Sequence, residues 1–196
     1  MTSFSTPIAA SSDDARETVS TGVVDLTINN HNIFGAGREV GLRFQNVTIS
    51  AGSTITNAWL TVTTYNTEDD PNVTIYGEDI DDAPSFTTTG YDITSRTKTT
   101  ASVSWSASNI GTGAKNSPDV KSVIQEIIDR SGWASGNDIA IIVQGVSGCN
   151  FSFRAYDYGS GIPSITIEYT APASGGTNPK TARIRLTTKV GGVLIQ

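Results

Sequence analysis

Thr54-Ile-Thr-Asn-Ala-Trp-Leu-Thr-Val-Thr-Thr64 alternates apolar and polar residues through Ile55, Trp59, Leu60 and Val62, with one slip that marks a bulge. A period of two puts alternate side chains on opposite faces of a strand, one toward a core and one toward water. The same period recurs over residues 23–28, 40–49, 72–76, 101–105, 138–144, 150–156 and 164–169, with Leu42, Phe44 and Val47 facing inward in the second of them. Gly, Asn, Asp and Pro separate these runs. Eight short strands punctuated in this way predict an all-β fold, a two-sheet antiparallel jelly-roll sandwich.

One segment breaks the pattern. Ser117-Pro-Asp119 starts a helix, with Ser117 as its cap, Pro118 at its first position and Asp119 complementing its positive end. Val120, Val123, Ile124, Ile127 and Ile128 then share one helical face, which closes an open edge or end of the sandwich. The helix ends near Arg130, and Gly132 follows.

Composition agrees with strands and turns. Of 196 residues, 49 are Ser or Thr and 19 are Gly, while only 16% are charged. No apolar run approaches the roughly 18 residues that cross a bilayer, so no membrane segment is expected. The first twenty residues lack the basic start and apolar core of a secretory signal. A single Cys and a single His exclude a zinc cluster.

The net charge of -6 is unevenly placed. Residues 1–171 hold all 19 acidic residues and nine basic ones, so this body repels phosphates and nucleic acid is not an expected partner. Residues 172–196 hold Lys180, Arg183, Arg185 and Lys189 and no acid. The stretch Ala171-Pro-Ala-Ser-Gly-Gly-Thr-Asn-Pro179 is small, polar and bracketed by prolines. The chain thus divides into a sandwich at 1–171, a linker at 172–180 and an extended arm at 181–196. The arm alternates through Arg183, Ile184, Arg185 and Leu186 and ends on Val190, Val193, Leu194 and Ile195. An apolar strand beyond a linker fits strand addition to a neighbour's exposed edge.

Chemistry-bearing residues are few, and no enzyme is expected. His31 lies in Asn29-Asn-His-Asn32, which reads as a turn, and no nucleophile-elbow motif surrounds any serine. Cys149 reads as a buried structural thiol. Asp13, Asp14 and Glu17 gather three carboxylates near one edge, a candidate calcium site although not an EF-hand loop. Tyr156-Asp157-Tyr158 follows a strand carrying Arg154, so these four residues are the candidate glycan surface, aromatic faces beside hydrogen-bonding groups. Trp59, Trp105 and Trp133 lie in or beside apolar runs and are expected in the core.

Several of these segments, in order, resemble a bacterial extracellular β-sandwich accessory module of the carbohydrate-binding, jelly-roll kind. They include Ser11-Ser-Asp-Asp-Ala-Arg-Glu17, Val40-Gly-Leu-Arg-Phe44, Ile55-Thr-Asn-Ala-Trp59, Ser117-Pro-Asp-Val-Lys121 and Pro163-Ser-Ile-Thr-Ile167. The resemblance covers about residues 8–170 and implies a non-catalytic role outside the cell, with no ligand carried over. The ending Thr188-Lys-Val-Gly-Gly-Val-Leu194 resembles that of bacteriophage structural proteins. Together they imply a virion structural protein: a capsid decoration, fibre or tail component at the particle surface. Its expected partners are other virion proteins, copies of itself and host surface glycan. A carbohydrate-binding adhesion module and a cell-surface filament subunit are the alternatives.

Overall fold

The computed structural model describes residues 2–173. The strands are β1 (Thr2–Pro7), β2 (Asp14–Thr18), β3 (Val23–Asp25), β4 (Asn30–Phe34), β5 (Arg38–Phe44), β6 (Thr54–Thr64), β7 (Asn72–Glu78), β8 (Lys98–Ser106), β9 (Gly113–Asn116), β10 (Ile139–Gly145), β11 (Asn150–Arg154) and β12 (Ser164–Thr170). One helix, α1 (Lys121–Ile128), lies between β9 and β10. The arm residues Arg183, Ile184, Arg185, Leu186, Val190, Val193, Leu194 and Ile195, and the linker from residue 174, lie outside the described residues.

The strands form two antiparallel sheets. In the first, β6 is central: Thr61 pairs with Ser164 of β12 on one side and Asn116 of β9 on the other. Beyond β12 comes β1, and β11, reached at Thr64, carries β4 outward. The second sheet runs β3-β2-β5-β10-β7-β8. Their facing sides interlock: Val40, Leu42 and Phe44 of β5 and Ile141 and Val143 of β10 meet Leu60, Val62, Phe151, Phe153, Ile165 and Ile167 of the first sheet. Trp105 of β8 meets Phe151 edge-on, ring centres 5.0 Å apart, a contact worth about 0.5–1.5 kcal/mol beyond its buried area. The two-sheet sandwich with one helix is therefore as the alternation predicts.

The bulge in β6 is real and has a consequence. Glu168 pairs with Asn57 and Tyr169 with Ile55, which leaves Thr56 as the extra residue. The insertion resets the phase, so Ala58, Leu60 and Val62 point into the core and Trp59 points out. Trp59 is thus only partly buried on the outer face of the first sheet, against the expectation from its apolar surroundings. Trp105 and Trp133 are core residues.

Helix α1 packs against β6, β7 and β8 and so covers the opening between the sheets with Val123, Ile124, Ile127 and Ile128. It starts later than its sequence suggests. Asp119 accepts the Lys121 N–H, whereas Ser117 is drawn to β6, accepting the Leu60 N–H and donating to the Pro118 carbonyl. Satisfying a buried strand amide outweighs capping the helix.

A third layer lies on the outer face of the second sheet. The long connection from Asp79 to Thr97 lays Ala83, Phe86 and Ile93 over Ala15, Val24, Ala140 and Ile142. Arg96 stacks on the Phe86 ring at 4.2 Å while reaching Glu78, Asp92 and the carbonyls of Pro84 and Ser85. The acidic residues of this connection are therefore largely committed to arginines. Asp79 and Asp81 hold Arg130 at the helix end.

Candidate functional site

Asp13, Asp14 and Glu17 are all fully buried, and they diverge. Asp13 accepts from Arg43 and from Gln45 Nε2 at 2.6 Å. Asp14 Oδ2 lies 3.0 Å from His31 Nε2 and accepts the Tyr156 N–H at 2.7 Å. Glu17 accepts the Ile93 and Thr94 amides at 2.8 and 3.0 Å, tying down the connection over the second sheet. Calcium has to compete with a protein donor at each of these carboxylates. Among the described residues, no group of three or more His, Cys, Asp or Glu is placed to hold a metal ion.

His31 is not in a turn. It pairs with Phe153 across β4 and β11, is fully buried, and packs on the Phe153 ring with centres 5.1 Å apart. The alternation missed β4 because one of its two inward residues is a histidine, here paired with Asp14; the other is Ile33. Cys149 is buried, and burial pushes its thiol pKa up.

This buried pair supports the candidate glycan residues. After β11 the chain enters a single 3-10 turn, Tyr156–Tyr158, closed by Gly159 in a left-handed conformation at φ 80°. Three bonds fix the turn from outside. The Tyr156 amide is held by Asp14, the Ala155 amide by the Asn29 carbonyl, and Asp157 Oδ1 accepts from Ser11 Oγ at 2.9 Å. Arg154 lies over the Tyr158 ring, 4.2 Å from its centre, and Tyr158 is 44% exposed. Tyr156, Asp157, Gly159 and Ile162 line a depression of about 410 Å³. The structure thus brings Arg154, Tyr156, Asp157 and Tyr158 into one surface feature, with Asp14 beneath it. It does not bring Asp13 or Glu17 there.

The outer side of β11 carries a second buried carboxylate. Asp69, on the connection from β6 to β7, is fully buried and accepts the Ser152 N–H at 2.9 Å, while Asp69 Oδ2 and Ser152 Oγ have no partner. Burial raises the Asp69 pKa, against the lowering effect of its bonds to Ser152 and Asn66. The folded protein therefore holds this proton more tightly than the unfolded chain. Its contribution is fully present below the unfolded pKa and is lost as pH rises through the folded one. Asp69→Asn keeps the acceptor for Ser152 and removes the buried charge. The variant is expected to melt higher at pH 7, with the gap shrinking as pH falls toward the unfolded pKa of about 4 and absent below it; thermal melts across pH check both.

No family model matches this chain, and no curated protein matches it.

Proposed function

We propose that the chain is a non-catalytic structural protein of a bacteriophage virion, a capsid decoration, fibre or tail component displayed on the particle surface. The jelly-roll path of its strands belongs to the same proposal. The observation that carries it is the self-sufficiency of the body. Residues between Ile8 and Ile167 close the core among themselves, to 7% exposure or less. The apolar alternation of 181–196 in the sequence supports a docking role for this segment. β1 supplies a receptor of the right kind. It ends its sheet, and its outward edge has no strand partner among the described residues. In this mechanism residues 172–180 tether the arm, and Ile184 and Leu186 add a strand to a neighbouring copy or another virion protein. Removing residues 174–196 abolishes assembly and leaves the body folded; light scattering after gel filtration and circular dichroism measure the two.

A second reading, glycan adhesion, is favoured by the Arg154–Tyr158 stack. An exposed phenol held under a guanidinium beside a carboxylate offers an apolar ring face and hydrogen-bonding groups to one sugar. The two readings are compatible, since a displayed subunit can also hold host glycan.

A further inference from the structure

We infer that the partly exposed Trp59 is the floor of a binding site for a neutral oligosaccharide on the outer face of the first sheet. Partial exposure of an indole costs hydrophobic free energy, and here it is built in by the bulge at Thr56. The neighbours of the ring on β6 and β12 are polar. Asn57, Thr61 and Thr63 share its face of β6, Thr166 stands directly across in β12, and Glu168 and Ser5 lie beyond. On the other flank, Asn57, Trp59, Asn116, Ser117 and Asp119 line a pocket of about 320 Å³. An aromatic face ringed by amides and hydroxyls matches a pyranose, which presents C–H groups on its face and hydroxyls at its rim.

The polar groups are partly pre-set. Asn116 Oδ1 accepts from Thr61 Oγ1 at 2.9 Å, which orients the amide. Asp119 Oδ1 is held by the Ala58 and Lys121 amides. The Asn57 side chain and Asn116 Nδ2 make no hydrogen bond among the described residues. The one charged group lining the pocket is Asp119, and its Oδ2 lies 3.3 Å from Lys121 Nζ, so the pocket offers no unpaired charge to a charged chain.

The site is continuous with the Tyr158 end. Trp59 and Thr63 are about 13 Å apart along the strand. A side chain at Gly161 would meet Thr63 Oγ1 at 2.8 Å and Arg154 Nη1 at 3.0 Å, so Thr63 and Arg154 adjoin. The outer face thus forms a strip from Trp59 to Tyr158 that suits several sugar units in a row. This deepens the glycan reading, and the variants below separate the two.

The test uses the full chain with laminarin, mannan, galactan and chitin oligosaccharides, and with alginate and polygalacturonate as charged controls. Calorimetry gives affinity, and acrylamide quenching of tryptophan fluorescence gives occupancy, because Trp105 and Trp133 are buried and Trp59 is the accessible indole. A neutral sugar is expected to bind and to shield Trp59 from acrylamide. Trp59→Ala weakens that binding at least about tenfold, and Trp59→Phe retains most of it. No binding by any neutral sugar, or binding indifferent to Trp59→Ala, overturns the proposal. If Tyr158→Ala alone abolishes binding, the Tyr158 reading stands and this one fails; if Trp59→Ala alone does, the reverse holds. If removing residues 174–196 exposes Trp59 to acrylamide without sugar, the arm is the occupant and the proposal is overturned.

Discussion

Gly41→Ala is expected to destabilise the protein by about 1–3 kcal/mol, toward the upper end of the range for an overpacked core site. Gly41 points outward from β5 between Ala15 of β2 and Ile142 of β10. The Phe86 ring fills the space above it. A methyl group there would lie 2.3 Å from the ring's Cζ and 2.5 and 2.9 Å from its two Cε atoms, well inside van der Waals contact. The ring cannot simply lift, because Arg96 is stacked on it and anchored to Glu78, Asp92 and two carbonyls. The strain therefore spreads into the whole connection over the second sheet. Urea denaturation measures the loss, and shortening the ring with Phe86→Leu in the same chain recovers part of it. A loss below about 0.5 kcal/mol, typical of a neutral surface change, would contradict this packing.

Asp14→Ala has an effect of similar or larger size for a different reason. It leaves two buried groups, the Tyr156 amide and His31 Nε2, without their partner. Each orphaned buried group costs about 1–3 kcal/mol, so a loss of about 2–5 kcal/mol is expected in the same denaturation experiment. The loss also has a local signature. The Tyr156–Tyr158 turn keeps only its bonds from Asn29 and Ser11, so the Tyr156 amide exchanges faster with solvent than in the parent. Hydrogen exchange reads this directly. Unchanged protection of that amide would mean that Asp14 does not hold the turn.

The same carboxylate shows where sequence reasoning reaches and where it stops. The β6 limits follow from alternation alone, because an interior strand with one buried face repeats at two. The outward turn of Trp59 does not. The slip near Thr56 is visible in sequence, but its phase is fixed only by pairing with Glu168 and Tyr169. Had that phase been followed, the ring would have been placed outside despite its hydrophobicity. β2 and β4 escaped notice because their buried side chains include Asp14, Glu17 and His31, whose partners are distant in the chain. Phe86 and Ile93 cover a sheet from an irregular segment, which no periodicity reveals. Arg154, Tyr156, Asp157 and Tyr158 were legible as a site because they are neighbours in sequence. Their support by Asp14 was not, since the two segments are 142 residues apart.

The mass in solution of the full chain and of residues 1–173, by light scattering after gel filtration with and without calcium, tests the central claim most directly. The account predicts a defined oligomer or open polymer for the full chain and a folded monomer for the truncated one, in both conditions. Two monomers of unchanged stability would contradict self-assembly through the arm, the form of the claim in which the β1 edge of a neighbouring copy is the receptor.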